Sequence, residues 1–119
     1  MSQPAIDIDA FTEMKDLMGD AFADVIKMSL QTLPEQLTGI TTAVDNGNAE
    51  SLFNISHKMK SSCGSIGARG LAEKAEAIEL IGRRGSTDVP DDMLSGLQDT
   101  TREVLSFLQK ALDDLPFSQ

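Results

Sequence analysis

Residues 46–64 read NGNAESLFNISHKMKSSCG, and the fold turns on how this stretch is read. Asn46-Gly47-Asn48 is a breaker and turn signal, so whatever precedes it ends there. From Ala49 onward the apolar residues recur at three- and four-residue intervals, which predicts a helix running to Cys63 or Gly64. At 100° per residue, Ile55, Met59, Ser62 and Ile66 fall within about 40° of the pole opposite His57, with Leu52 on the same half. That half is the expected core stripe. His57 faces the other way, among Glu50, Phe53, Asn54, Lys60, Ser61 and Gly64.

The same period extends outward in both directions. Ile6–Met18 predicts a short lead-in helix with Phe11, Met14, Leu17 and Met18 on one face, Asp9 as its N-cap and Gly19 as its end. A second helix from Asp20 carries Phe22, Val25, Ile26, Ser29, Leu30 and Leu33. Proline is tolerated in a first helical turn but not in an interior, so a boundary is expected at Pro34, with a separate segment from Pro34 to Asp45 burying Leu37, Ile40 and Val44. Downstream of the glycine-punctuated break at 65–68, Leu71, Ala75, Ile78 and Ile81 form the stripe of another helix, ending at Gly82 or within 83–85. The last begins near Pro90-Asp91-Asp92, an acidic first turn that suits a helix N-terminus. It carries Leu94, Leu97, Thr101, Val104, Leu105, Leu108 and Leu112. No segment alternates with period two. Short connections between amphipathic helices favour antiparallel neighbours. The expectation is therefore an all-α, up-and-down antiparallel four-helix bundle behind a short lead-in helix, a single domain over residues 1–119.

Composition narrows the function. The chain has 119 residues, 19 acidic against 10 basic, and a net charge of −9. Phosphate backbones and anionic membrane surfaces are bound by Lys and Arg, so both are disfavoured as partners. One cysteine permits no internal disulfide, and Cys63 reads as a small buried hydrophobe rather than a reactive thiol. Neither a signal peptide nor a membrane-length apolar run is visible, and a cytoplasmic protein is expected.

The chemistry sits at His57, the one histidine of the chain. An imidazole offers a neutral ring nitrogen as a nucleophile near pH 7. Lys60 and Ser61, three and four residues on, are its surface neighbours. The Lys60 ammonium could neutralise the oxygens of an incoming phosphoryl group. Gly64, two turns away, leaves room for another protein's backbone to come close, and Phe53, one turn back, is an apolar residue on the exposed face. No metal site is expected, since neither a second histidine, nor a cysteine cluster, nor a carboxylate pair stands at ligand spacing. The glycines of 64–70 lack the Gly-Lys-Ser/Thr ending and preceding strand of a phosphate loop. On geometry alone, His57 reads either as a solvated surface residue or as a functional nucleophile, and both stay open.

His57-Lys58-Met59-Lys60-Ser61-Ser62, followed by Gly64-Ser65-Ile66-Gly67-Ala68 and Leu71, resembles the signature of histidine-containing phosphotransfer (HPt) domains, roughly His-x-Leu-Lys-Gly/Ser-Ser with a downstream Gly-Ala and Leu. Glu79-Leu80-Ile81-Gly82-Arg83 is similar to that family's Leu-Glu-x-x-Gly-Arg stretch. Met59 departs from the common Leu, a swap that nearly conserves volume, and Ser61 stands where Gly is also frequent.

The resemblance implies that His57 is the phosphoacceptor of a two-component phosphorelay. It would take the phosphoryl group from a receiver-domain aspartyl phosphate and pass it reversibly to another receiver. Lys60 would stabilise the phosphoryl oxygens, and Gly64, Phe53 and Ser61 would belong to the receiver docking face. Glu79 would be a polar residue near the histidine. No cofactor is expected on this chain, because Mg²⁺ would be supplied by the receiver. The expected partners are response-regulator receivers, including that of a hybrid sensor kinase, and the expected protein is a monomeric, standalone carrier with no nucleotide-binding or autokinase activity. The competing reading is a helical adaptor that binds receivers or other signalling partners without being phosphorylated.

Overall fold

A computed structural model of the chain describes residues 4–115. Five helices follow one another: α1 (Ile8–Met18), α2 (Ala21–Asp45), α3 (Ala49–Gly64), α4 (Arg69–Arg83) and α5 (Asp91–Asp114). Among the described residues there is no strand. α3 packs on α2 and α4, and α5 packs on the same two helices from the other side. α3 and α5 thus stand diagonally across an antiparallel four-helix bundle, with α1 laid against α2, which is the expected fold class.

Packing explains the largest departure from the expected helix boundaries. Pro34 lies inside α2 and does not begin a new helix. Interior proline costs about 3 kcal/mol relative to alanine, because it removes a hydrogen bond and crowds the preceding turn. Leu33 and Ile40 on either side of it are fully buried. Each contributes roughly 1.5–3 kcal/mol by leaving water, so burial of one continuous apolar face outweighs the local defect.

The core is aliphatic along the bundle and aromatic where α1 closes it. Phe11 meets Phe22 edge-on at 5.0 Å and Phe107 at 4.9 Å. The N-cap of α1 is Asp7, whose Oδ1 accepts from Ala10 N–H at 3.1 Å, where the sequence pointed to Asp9. Asp7 also ties the lead-in down: its N–H donates to the Gly67 carbonyl at 2.8 Å, and its carboxylate pairs with Arg69 at 3.3 Å. Gly67 accepts this strap because its φ is +70° and because a Cβ there would stand 3.0 Å from Ala10.

α3 carries a second difference. Its buried residues are Leu52, Ser56, Met59 and Cys63, while Ser62 and Ile55 are only half-buried. The wheel placed Ser62 in the core, yet Ser62 sits at the edge and accepts from Gln36 Nε2 of α2 at 3.1 Å. Ser56 is buried by returning its hydroxyl to the Leu52 carbonyl, which satisfies the polar group within its own helix. The inward face of α3 is therefore rotated toward α4, the helix it contacts most closely.

Candidate functional site

That rotation brings His57 beside α4 instead of leaving it alone on an outer face. Its ring is about half exposed, at 53%. His57 Nδ1 stands 2.7 Å from Glu79 Oε2, and Glu79 is 1% exposed. The other carboxylate oxygen, Oε1, is 2.8 Å from Lys60 Nζ. One buried carboxylate therefore holds the imidazole and the ammonium side by side, joining residues three apart on α3 through a residue of α4. Arg83 Nη2 lies 3.9 Å from Glu79 Oε2, and Glu76 Oε1 lies 3.9 Å from Lys60 Nζ, so the inner pair is wrapped by an outer one.

Burial alone would raise the Glu79 carboxyl. Hydrogen bonds from Lys60 and His57, together with their charge, outweigh it and hold the group below the ordinary glutamate value of 4.5. Glu79 is thus ionised at neutral pH, and a nitrogen 2.7 Å from a carboxylate oxygen carries the hydrogen between them. The neutral ring then has its proton on Nδ1 and its lone pair on Nε2. The arrangement presents one nucleophilic nitrogen beside a positive charge.

The remaining residues named from the sequence take the following places. Phe53 is half-buried rather than a free apolar residue on the exposed face. Its ring stacks on His57 at 5.9 Å with an interplanar angle of 23°, and the Arg83 guanidinium lies over it at 5.6 Å. Ser61 and Gly64 are exposed on α3, and a Cβ on Gly64 would meet nothing within 4 Å. Cys63 is buried, and burial pushes its thiol up to about 12, which leaves it unreactive at neutral pH. Arg83 and Glu76 carry no role legible from the sequence alone. The signal available for Arg83 was its i,i+4 spacing from Glu79 on one helix, visible only after Glu79 is known to be the buried partner.

Among the described residues no helix is long and apolar enough to cross a membrane. No curated protein sequence matches the chain. Two solved structures share its fold. Histidine-containing phosphotransfer protein B (HptB) from Pseudomonas aeruginosa PAO1 superposes with a TM-score of 0.87 at 19% identity, over 96% of this chain and 99% of that one. The HPT domain of the Hpt sensor hybrid histidine kinase from Shewanella superposes with a TM-score of 0.81 at 19% identity, over 94% and 97%. At such identities the likeness is one of fold. The sequence itself matches the family model of the Hpt domain over residues 24–116, a span that contains α3, α4 and the whole His57–Glu79–Lys60 cluster. The chain belongs to the Hpt domain family, and its role is histidine phosphotransfer in two-component phosphorelays.

Proposed function

We propose that His57 Nε2 is the phosphoacceptor and that the protein carries the phosphoryl group between the aspartates of two receiver domains. The observation that carries this reading is the Glu79 bridge, which holds His57 Nδ1 at 2.7 Å and Lys60 Nζ at 2.8 Å on its two oxygens. In the forward step the Nε2 lone pair attacks phosphorus and an N–P bond forms. The aspartyl O–P bond breaks in line, and the receiver carboxylate leaves with the electron pair. The Nδ1 proton stays where it is. The ring becomes a phosphoimidazolium, a cation that the ionised Glu79 stabilises. Lys60 offsets negative charge on the transferring oxygens, which is most of what a protein contributes to a loose phosphoryl-transfer transition state. Mg²⁺ would enter with the receiver's own carboxylates. Reversal returns the group to a second receiver, so the protein acts as a carrier without a kinase activity of its own.

Charge distribution supports the choice of partner. Residues 51–72, which include His57, contain no Asp or Glu, the longest such stretch in the chain. Residues 51–84 carry six Lys and Arg against three Glu, so this hairpin is positive in a chain of net charge −9. An anionic aspartyl phosphate in an acidic setting is drawn to that surface and repelled elsewhere. Phe53, Ser61 and Gly64 supply a small, partly apolar patch for contact. A monomeric, cytoplasmic carrier fits this reading.

The test is phosphoryl uptake. A panel of receiver domains charged by a small phosphodonor with Mg²⁺ should transfer acid-labile phosphate to the wild type and none to His57→Gln. Lys60→Ala should slow transfer far more than it weakens binding. A wild type that binds receivers yet stays unlabelled would establish the adaptor reading instead.

A further inference from the structure

One turn from the His57–Glu79 pair, the backbones of α3 and α4 meet with only a glycine between them. A Cβ on Gly82 would stand 2.7 Å from Phe53 N, 3.0 Å from Phe53 Cα and 3.1 Å from the Ala49 carbonyl oxygen. These are backbone atoms, and helical pairing joins that N–H to that carbonyl, so no side-chain rotation opens the space. Gly82 is not among the glycines with positive φ. Its requirement is close approach, not conformation. Gly82 follows Glu79 by three residues on α4, and Phe53 precedes His57 by four on α3, so the two contacts are successive layers of one antiparallel helix pair.

We propose that Gly82 is a positioning residue: its missing side chain sets the α3–α4 separation at which the Glu79 carboxylate reaches His57 and fixes the ring tautomer. The inference rests on the reading of His57 as phosphoacceptor. Restoring an ordinary 3.4 Å contact from 2.7 Å requires α4 to withdraw by about 0.7 Å. A helix moves as a stiff unit over one turn, so the same displacement reaches Glu79. Added to the present 2.7 Å, it puts His57 Nδ1 and Glu79 Oε2 at about 3.4 Å, outside the hydrogen-bond range of about 2.7–3.2 Å. The proton then divides between the two ring nitrogens, and Nε2 loses its constant lone pair. Losing the carboxylate that orients a metal-ligating histidine lowers activity by about 10- to 100-fold, and a loss of that order is expected here.

Gly82→Ala in the full chain tests this, since alanine favours the helix and adds one methyl group. Ring ¹⁵N NMR of the wild type should show one protonated and one unprotonated nitrogen. Gly82→Ala should show averaged nitrogens, with phosphoryl uptake slowed about 10- to 100-fold and receiver binding retained. Gly39→Ala is the control. Its Cβ would also crowd α3, at 2.9 Å, but against the Ile55 side chain on the α2 side, away from Glu79. It should keep the wild-type ring spectrum and uptake rate whatever it does to melting temperature. A wild-type ring signature in Gly82→Ala, or an equal loss in Gly39→Ala, overturns the proposal. If Gly82→Ala does not fold, Glu79→Asp withdraws the carboxylate by one methylene with the helices in place, and a single-tautomer spectrum there overturns it equally. The ring spectra are read without a receiver, so they stand apart from any failure of phosphoryl uptake in the wild type.

Discussion

Glu79→Gln separates the charge of the buried bridge from its shape. The carboxylate is 1% exposed, while its partners are 33% exposed at Lys60 and 53% at His57. Hydrogen bonds to charged groups are worth about 1.5–3 kcal/mol each, less where the partner can return to water. Glutamine keeps the volume and can still accept from one of the two donors, Lys60 or His57, through its carbonyl. The net loss at pH 7 is therefore about 1–2 kcal/mol, or roughly 4–10 °C in melting temperature for a domain of this size. The pH dependence is the sharper readout. Because the folded Glu79 carboxyl lies below 4.5, the unfolded chain binds its proton first as acid is added. The stabilisation from Glu79 is thus complete above the unfolded value and is lost as pH falls through the folded one. Glutamine has no proton to bind there. The stability gap between wild type and variant, followed by urea denaturation with circular dichroism, should persist from neutral pH to about 5 and close below 4.5. A gap that persists unchanged into strong acid would show that ionisation of Glu79 contributes nothing. Equal stability at pH 7 would refute the bridge as a stabilising element.

Pro34→Ala restores an amide inside α2 and should raise stability by about 1–2 kcal/mol, after allowing for the freer unfolded chain; a lower denaturation midpoint would mean the proline is needed for α2 packing. Gly64→Phe should weaken receiver binding, read by titration calorimetry, while leaving the melting temperature within about 2 °C, because nothing lies within 4 Å of a Cβ there. Arg84→Glu reverses a charge at the end of the positive hairpin and should slow receiver association several-fold at low salt, an effect that added salt removes. The same reversal at Lys110, on the diagonal helix α5, should change the rate little.

The helices and their order were legible because each buries one stripe, and burial at a 3.6-residue period leaves its mark on every turn. Ala49–Gly64 needed no more than its flanking Asn46-Gly47-Asn48 and its apolar spacing. Pro34 misled for a definite reason: a local rule about amide hydrogen bonds was overruled by Leu33 and Ile40, whose burial depends on α3 and α5. Ser62 and Phe53 were misplaced in the same way. An ideal wheel assumes one core axis, whereas α3 is pressed toward α4 and turns Ser56 and Cys63 inward.

At the site, residue spacing alone placed the Lys60 ammonium beside the His57 imidazole, since the two are three apart on one helix and are adjacent wherever that helix goes. Spacing also put Gly64 on the same face, and the fold leaves that position open, with nothing within 4 Å of a Cβ there. Which ring nitrogen of His57 is free could come only from the packing of one helix on another. That depends on Glu79, 22 residues away on another helix, reaching Nδ1 at 2.7 Å, and on Gly82 letting the two backbones come close enough for it to do so. Spacing within a helix is set by covalent geometry and can be counted. Distance between helices is set by what lies between them, and there it is set by the absence of a side chain.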